Sequence, residues 1–132
     1  MTTNANITVY NRSYDPETRM DLYRCTIIRG VWWHVDNKVS VTTDGLRSAD
    51  VFKVRIPEAA DSSGAVYVPP NEYTGAPDTW TLQADDYIAR GVLDQEIERP
   101  AELRKEHSQV FRITSWSDNR FGGLKHWRVG GE

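Results

Sequence analysis

MDLYRCTIIRGVWWHV, residues 20–35, decides the fold. Leu22, Arg24, Thr26 and Ile28 take one parity, and Tyr23, Cys25, Ile27 and Arg29 the other, which is strand periodicity with neither side purely polar. Sixteen residues are long for one straight strand, and Gly30 stands mid-run, where glycine marks a bulge or a sharp bend. After it, VWWHV resumes. Adjacent strand residues face opposite ways, so one of Trp32 and Trp33 enters a core while the other meets a second layer, a partner or water.

Outward from this stretch, Asn6–Tyr10 reads as a preceding strand, joined through Asp15-Pro16 turn chemistry. On the other side, Asp36-Asn37 predicts a hairpin turn into KVSVT, and Thr43-Asp44-Gly45-Leu46 a second turn. Residues 48–56 alternate, with Val51, Lys53 and Arg55 on one face and Phe52, Val54 and Ile56 on the other, until Pro57 withholds a ladder donor. Residues 57–80 are irregular, with four prolines and two glycines. A short strand at 65–68 interrupts them, and Tyr67, Tyr73 and Trp80 could anchor the segment to a surface. Strand character returns in WTLQ and again from Asp86 to Gly91. Only Arg99–His107 looks helical, with proline early, acid in the first turn and base at the end. Two final strands, 109–119 and 124–129, flank a turn at Arg120-Phe121-Gly122-Gly123, leaving Gly130-Gly131 as a tail. The pattern predicts one mainly-β domain over 1–132, a small barrel or sandwich with one short helix and an extended acidic arm at about 57–79.

Composition narrows the functional classes. Cys25 is the sole cysteine, which rules out an intramolecular disulfide and a cysteine-based zinc site, and fits a reducing cytoplasmic origin. MTTNANITVY has no basic stretch leading into an apolar one, and no run is long enough to span a bilayer, so a soluble, unprocessed chain away from membranes is expected. The net charge of −3 is unevenly spread: residues 57–89 hold six acids and no Lys or Arg, while 99–132 hold seven bases against four acids. Such an acidic middle disfavours a tight grip on phosphate.

Chemistry-bearing groups are sparse. His34, His107 and His126 lack metal-ligand spacing, so no metal and no cofactor are expected. Asp118 with His126 could act as orienter and base, but no nucleophile motif accompanies them, and a hydrolase is the most distant reading. Asp85-Asp86 and Gly122-Gly123 read as turn residues. Cys25 is expected to be a small buried hydrophobe. No catalytic residue is assigned.

The succession ITVYN, YDPETRMDLY, IRGVWW, GLRSADVFKVRIP, WTLQADDYIARG, a helix, ITSWSDNR and HWRV resembles a family of small prophage-encoded proteins of uncharacterised function from the head and head-to-tail morphogenesis region. The layout is also similar to phage head-completion, or stopper, proteins. That resemblance implies a small β-barrel in a ring beneath the portal and adaptor, with an extended loop helping to close the DNA channel. It implies a particle component found in the virion, and in host cytoplasm during assembly, with connector, adaptor and tail proteins as partners and DNA passing without sequence-specific binding. Glu58, Asp61, Tyr67, Glu72, Tyr73 and Asp78 would then belong to a channel arm, and Trp33, Arg120, Trp127 and Arg128 to contacts between neighbours. A tail terminator or minor capsid protein is the nearest rival. A carbohydrate- or peptide-binding module with Trp32, Trp80 and Trp127 as an aromatic platform is the rival from another class.

Overall fold

The structure, a computed structural model, describes residues 3–15, 17, 19–42, 45–93, 100–121 and 123–132. Its strands are β1 (Ala5–Asp15), β2 (Met20–Thr42), β3 (Gly45–Pro57), β4 (Val66–Tyr67), β5 (Thr79–Trp80), β6 (Tyr87–Arg90), β7 (Val110–Asn119) and β8 (His126–Gly131), with one helix, α1 (Pro100–Glu106). Six strands close a barrel in the order β1-β2-β3-β8-β7-β6, and every neighbouring pair is antiparallel. Of the two mainly-β architectures the sequence allows, the chain adopts the barrel.

β2 serves two partners in succession. Its first half pairs with β1 and its second half with β3. The changeover falls at Gly30, whose φ of 82° suits glycine, and the β1–β2 register skips it between Ala5↔Val31 and Asn6↔Arg29. The bulge resets the alternation. Ile28 faces inward before it, and Val31 and Trp33 do so after it, all buried.

This reset corrects the expectation for Trp33. Unbroken alternation from Ile28 would have sent Trp32 inward; the extra residue sends Trp33 there instead, against Phe52 and Phe111 with ring centroids 5.6 Å from each. Trp33 is therefore core, not a contact between neighbours. Trp32 stands on the outer wall, stacked on His34.

Further expectations change. Asp36 and Asn37 do not turn: they pair with Val51 and Asp50 as rungs of a longer β2–β3 hairpin. Both residues tolerate a turn without demanding one, and the ladder runs on to Thr42↔Gly45, while Thr43 and Asp44 of the expected second turn lie outside the described residues. Gly130-Gly131 is no tail but the end of β8, where Gly131 pairs with Phe52 on one side and Ile113 on the other. Cys25 is exposed rather than buried, because its parity on β2 faces outward beyond the span where the barrel core lies.

The β2–β3 hairpin outruns the barrel. β8 stops at Phe52↔Gly131, yet β2 and β3 pair through seven more rungs, Asp36↔Val51 to Thr42↔Gly45, a ribbon about 20 Å long at 3.4 Å per residue. The expected arm at 57–79 behaves differently. It lies along the barrel: Asp61 pairs with Arg29 on the β2 edge that β3 has vacated, and Val66–Tyr67 runs parallel to Thr79–Trp80. A bared strand edge is covered in this way.

Inside, Ile7, Val9, Ile28, Val54, Ile56, Leu82, Ile88 and Ile113 are fully buried. Outside, Leu103 of α1 is buried with Tyr10, Ala89 and Val110, so the helix covers the β1–β6–β7 wall. Expected over 99–107, it is found at 100–106.

Candidate functional site

The aromatic-rich end of the barrel is the candidate site. β8 turns Trp127 inward, β5 delivers Trp80, and β4 delivers Tyr67 from the segment laid along the barrel. The three rings meet mutually: Tyr67–Trp80 at 4.9 Å, Tyr67–Trp127 at 4.9 Å and Trp80–Trp127 at 5.1 Å between centroids. Edge-on and tilted geometries of this kind satisfy the ring quadrupoles.

Arg120, from the β7–β8 turn, caps the cluster. Its Cζ lies 4.8 Å from the Trp127 centroid and 5.3 Å from that of Tyr67. Asp118 fixes it there, since Nε donates to Oδ1 at 2.8 Å and Nη2 to Oδ2 at 2.7 Å, while the Arg120 backbone N–H donates to Oδ1 at 3.2 Å. This fork is the strong geometry for a guanidinium and a carboxylate. Arg120's hydrogen bonds hold the Asp118 carboxyl below its usual range, and burial pushes the Tyr67 hydroxyl up.

Beside the cluster opens a cleft of about 260 Å³, walled by Ile28, Ile56, Ala60 and Ala65, with Glu58 and Arg120 also lining it. It offers apolar surface and one fixed cation with carboxylates close by. Arg120 stays charged at any physiological pH, so its role here is electrostatic and steric.

Four sequence-predicted residues, Glu58, Tyr67, Arg120 and Trp127, thus share one place. The others are dispersed. Asp61 lies on the β2 edge, its Oδ1 accepting the Ser63 N–H at 3.0 Å. Glu72 is exposed in a turn closed by its N–H to the Pro69 carbonyl, and Asp78 is exposed at a φ of 58°. Tyr73 is half-buried with its hydroxyl enclosed, and burial raises its pKa. Arg128 stands on the outer wall opposite Arg55.

Asp118 and His126 do not form an orienter and base. Asp118 is engaged by Arg120, while His126 Nδ1 lies 2.7 Å from the Leu124 carbonyl oxygen. The aromatic platform is not assembled either: Trp80 and Trp127 are buried, and Trp32 stands outside the wall that encloses them.

One polar centre escaped the sequence reading. Asp86 is fully buried, accepting from Asn11 Nδ2 at 2.9 Å and from the Arg12 N–H at 3.2 Å. Asn11 also exchanges hydrogen bonds with the Thr81 backbone, at 2.8 and 3.1 Å. Burial raises the Asp86 carboxyl to about 6 despite these donors. No local pattern announces it, since Asn11 and Asp86 are distant in sequence. Among the described residues no group of three or more His, Cys, Asp or Glu could hold a metal ion, and no helix is long and apolar enough to cross a membrane.

Compared with known families, residues 1–132 match the model of DUF6751, a family of unknown function. The chain belongs to this family. No curated protein and no solved structure matches it.

Proposed function

We propose that this chain is a structural component of a phage or prophage particle, a head-tail connector of the head-completion type that assembles as a ring under the portal. The observation that carries the reading is the six-stranded antiparallel barrel from which β2 and β3 run on as a two-stranded ribbon. A closed barrel leaves few strand edges to stray pairing, and an elongated ribbon can reach past its own subunit. The reaching role expected for 57–79 passes to this ribbon, because 57–79 lies along the barrel. The order of motifs along the sequence, which resembles that of prophage head and head-tail proteins, supports the same reading.

In this role the chain works in the virion and in host cytoplasm during assembly. Its partners are adaptor and tail proteins, with DNA passing and no cofactor or catalysis involved. Acidic surface beside a DNA path repels phosphate and so permits sliding.

Quantitative mass spectrometry of purified induced particles, with the portal protein as internal reference, tests the proposal. A constant, ring-like ratio to portal supports it, and absence from intact particles overturns it. Immunogold labelling at the far end of the tail or over the capsid, instead of at the junction, would replace it with a tail-terminator or minor capsid role.

A further inference from the structure

The outer face of β2, β3, β8 and β7 is one wall whose make-up follows from register. Phe52, Val54, Ile56, Trp127 and Val129 turn inward and are buried, so Lys53, Arg55, His126, Arg128 and Gly130 turn outward. Cross-strand partners then line up in rows. Trp32, Arg55, Arg128 and Ser117 form one row, about 14 Å across four strands, and His34, Lys53, Gly130 and Ser115 form the next. Pro57, His126 and Asn119 make a third. These rows hold two arginines, a lysine and two histidines but no Asp or Glu, in a chain whose net charge is −3. Acidic residues flank the wall lengthwise, Glu58 past Pro57, and Asp36 and Glu132 past the Lys53 row.

At the centre of the wall Arg55 and Arg128 are direct cross-strand partners, both exposed. Like charges placed so repel. Among the described residues the ion pairs are Arg112–Asp85 and Arg120–Asp118, and neither Arg55 nor Arg128 has a carboxylate partner. A guanidinium offers five N–H donors and no acceptor. Next in the row, Ser117 Oγ accepts from Asn119 Nδ2 at 3.2 Å, which leaves its O–H to donate. Arg55, Arg128 and Ser117 thus make a run of donors that phosphate oxygens would complete.

We propose that this wall binds the phosphate backbone of duplex nucleic acid, with Arg55, Arg128 and Ser117 as the central donors. Nucleic acid fits better than a protein partner, because protein interfaces centre on an apolar core depleted of charge, whereas nucleic-acid interfaces are polar and positive. The wall has charge at its centre. A duplex fits better than a single strand. Trp32 is already stacked on His34, and the Arg55 Cζ lies 5.0 Å from its ring centre, so the wall lacks a ready stacking platform for unpaired bases. Contacts to the backbone alone carry no sequence information, and the net charge of −3 keeps the grip weak and sensitive to salt.

This inference rests on the reading above for the presence of DNA and names the face that meets it. It is measured on purified protein, so absence from particles would overturn that reading and leave the wall standing, while a failure to bind would do the reverse. Fluorescence anisotropy of a labelled duplex of about 20 base pairs, titrated with the full chain from about 25 to 200 mM salt, reads the binding. On logarithmic axes the binding constant should fall with salt at a slope of about −2 to −3, for two or three phosphates neutralised. Arg55→Gln with Arg128→Gln should weaken binding by about tenfold or more at the lowest salt and make the slope shallower by about two, one for each arginine. Arg128→Gln alone, at an exposed position, should make it shallower by about one. Arg90→Gln with Lys105→Gln, an equal charge change on β6 and α1, should leave the slope unchanged. The proposal is overturned if the parent fails to bind at the lowest salt, if both double variants change the slope equally, or if polyglutamate competes as well as the duplex at equal charge. A single strand of the same length bound more tightly than the duplex also overturns it.

Discussion

The Arg120 guanidinium lies 4.8 Å from the centre of the Trp127 ring while its Nη2 donates to Asp118 Oδ2 at 2.7 Å, so one cation is held by an aromatic face and a carboxylate together. Arg120→Ala removes both contacts and leaves Asp118 unpaired. The expected cost is about 1–2 kcal/mol in urea denaturation, with a change in tryptophan emission as Trp127 gains solvent. Arg120→Lys should recover little, since an ammonium cannot reproduce the fork.

The same pair has a pH signature. Asp118 titrates below its usual range in the folded chain, so its stabilisation is present above the ordinary carboxylate pKa and fades as pH falls through the lowered value. In Asp118→Asn that acid-side loss should be absent when unfolding free energy is followed by urea titration from pH 5 downward.

Asp86 behaves oppositely. With its folded pKa raised to about 6, the neutral form is the favoured one, and the benefit is complete below the ordinary value of 3.8 and lost as pH rises through 6. Relative to the non-titrating Asp86→Asn, the parent should lose about 2–3 kcal/mol between pH 4 and pH 7, taking 1.36 kcal/mol per pKa unit. A flat difference across that range would contradict the buried placement.

Trp32 and Trp33 should separate sharply. Trp33→Ala empties the space beside the stacked Phe52 and Phe111 rings and should cost about 3–5 kcal/mol. Trp32→Ala removes mainly an outer stack and a cation–π contact, about 1 kcal/mol. Thermal or urea unfolding of the two variants reads the difference directly.

Gly131 permits no side chain, because a Cβ there would run into the Arg112 carbonyl oxygen and the Phe111 ring. Gly131→Ala should cost about 2–4 kcal/mol or prevent folding. Gly123→Ala, where an added Cβ meets nothing within 4 Å, is the neutral control.

Much of this architecture could be read from local pattern. The bulge at Gly30, the alternation from Val51 to Ile56 and the short helix each rest on a signal within a few residues. The failures have a common origin in long-range pairing. Asp36 and Asn37 resemble turn residues, but what they do depends on Val51 and Asp50 across the ladder. Four prolines and two glycines in 57–80 correctly announce irregular backbone, yet cannot say that Tyr67 and Trp80 will close on Trp127. Gly131 looks like a tail until its two flanking strands are known. Within the candidate site, Arg120 and Trp127 were recognisable as notable, whereas the Asp118 fork and the Asn11–Asp86 link were not.

The position of β8 between β3 and β7 also governs how the protein can be made on a ribosome. β3 is complete at Pro57, but the strand that seals its other edge begins only at His126. Until residues 126–131 are made, that edge of β3 has no partner strand, and non-local closure of this kind is intrinsically slow. Asp61 and Ser63, hydrogen-bonded to Arg29 and Ile27, cover one edge of β2 before that keystone strand is made.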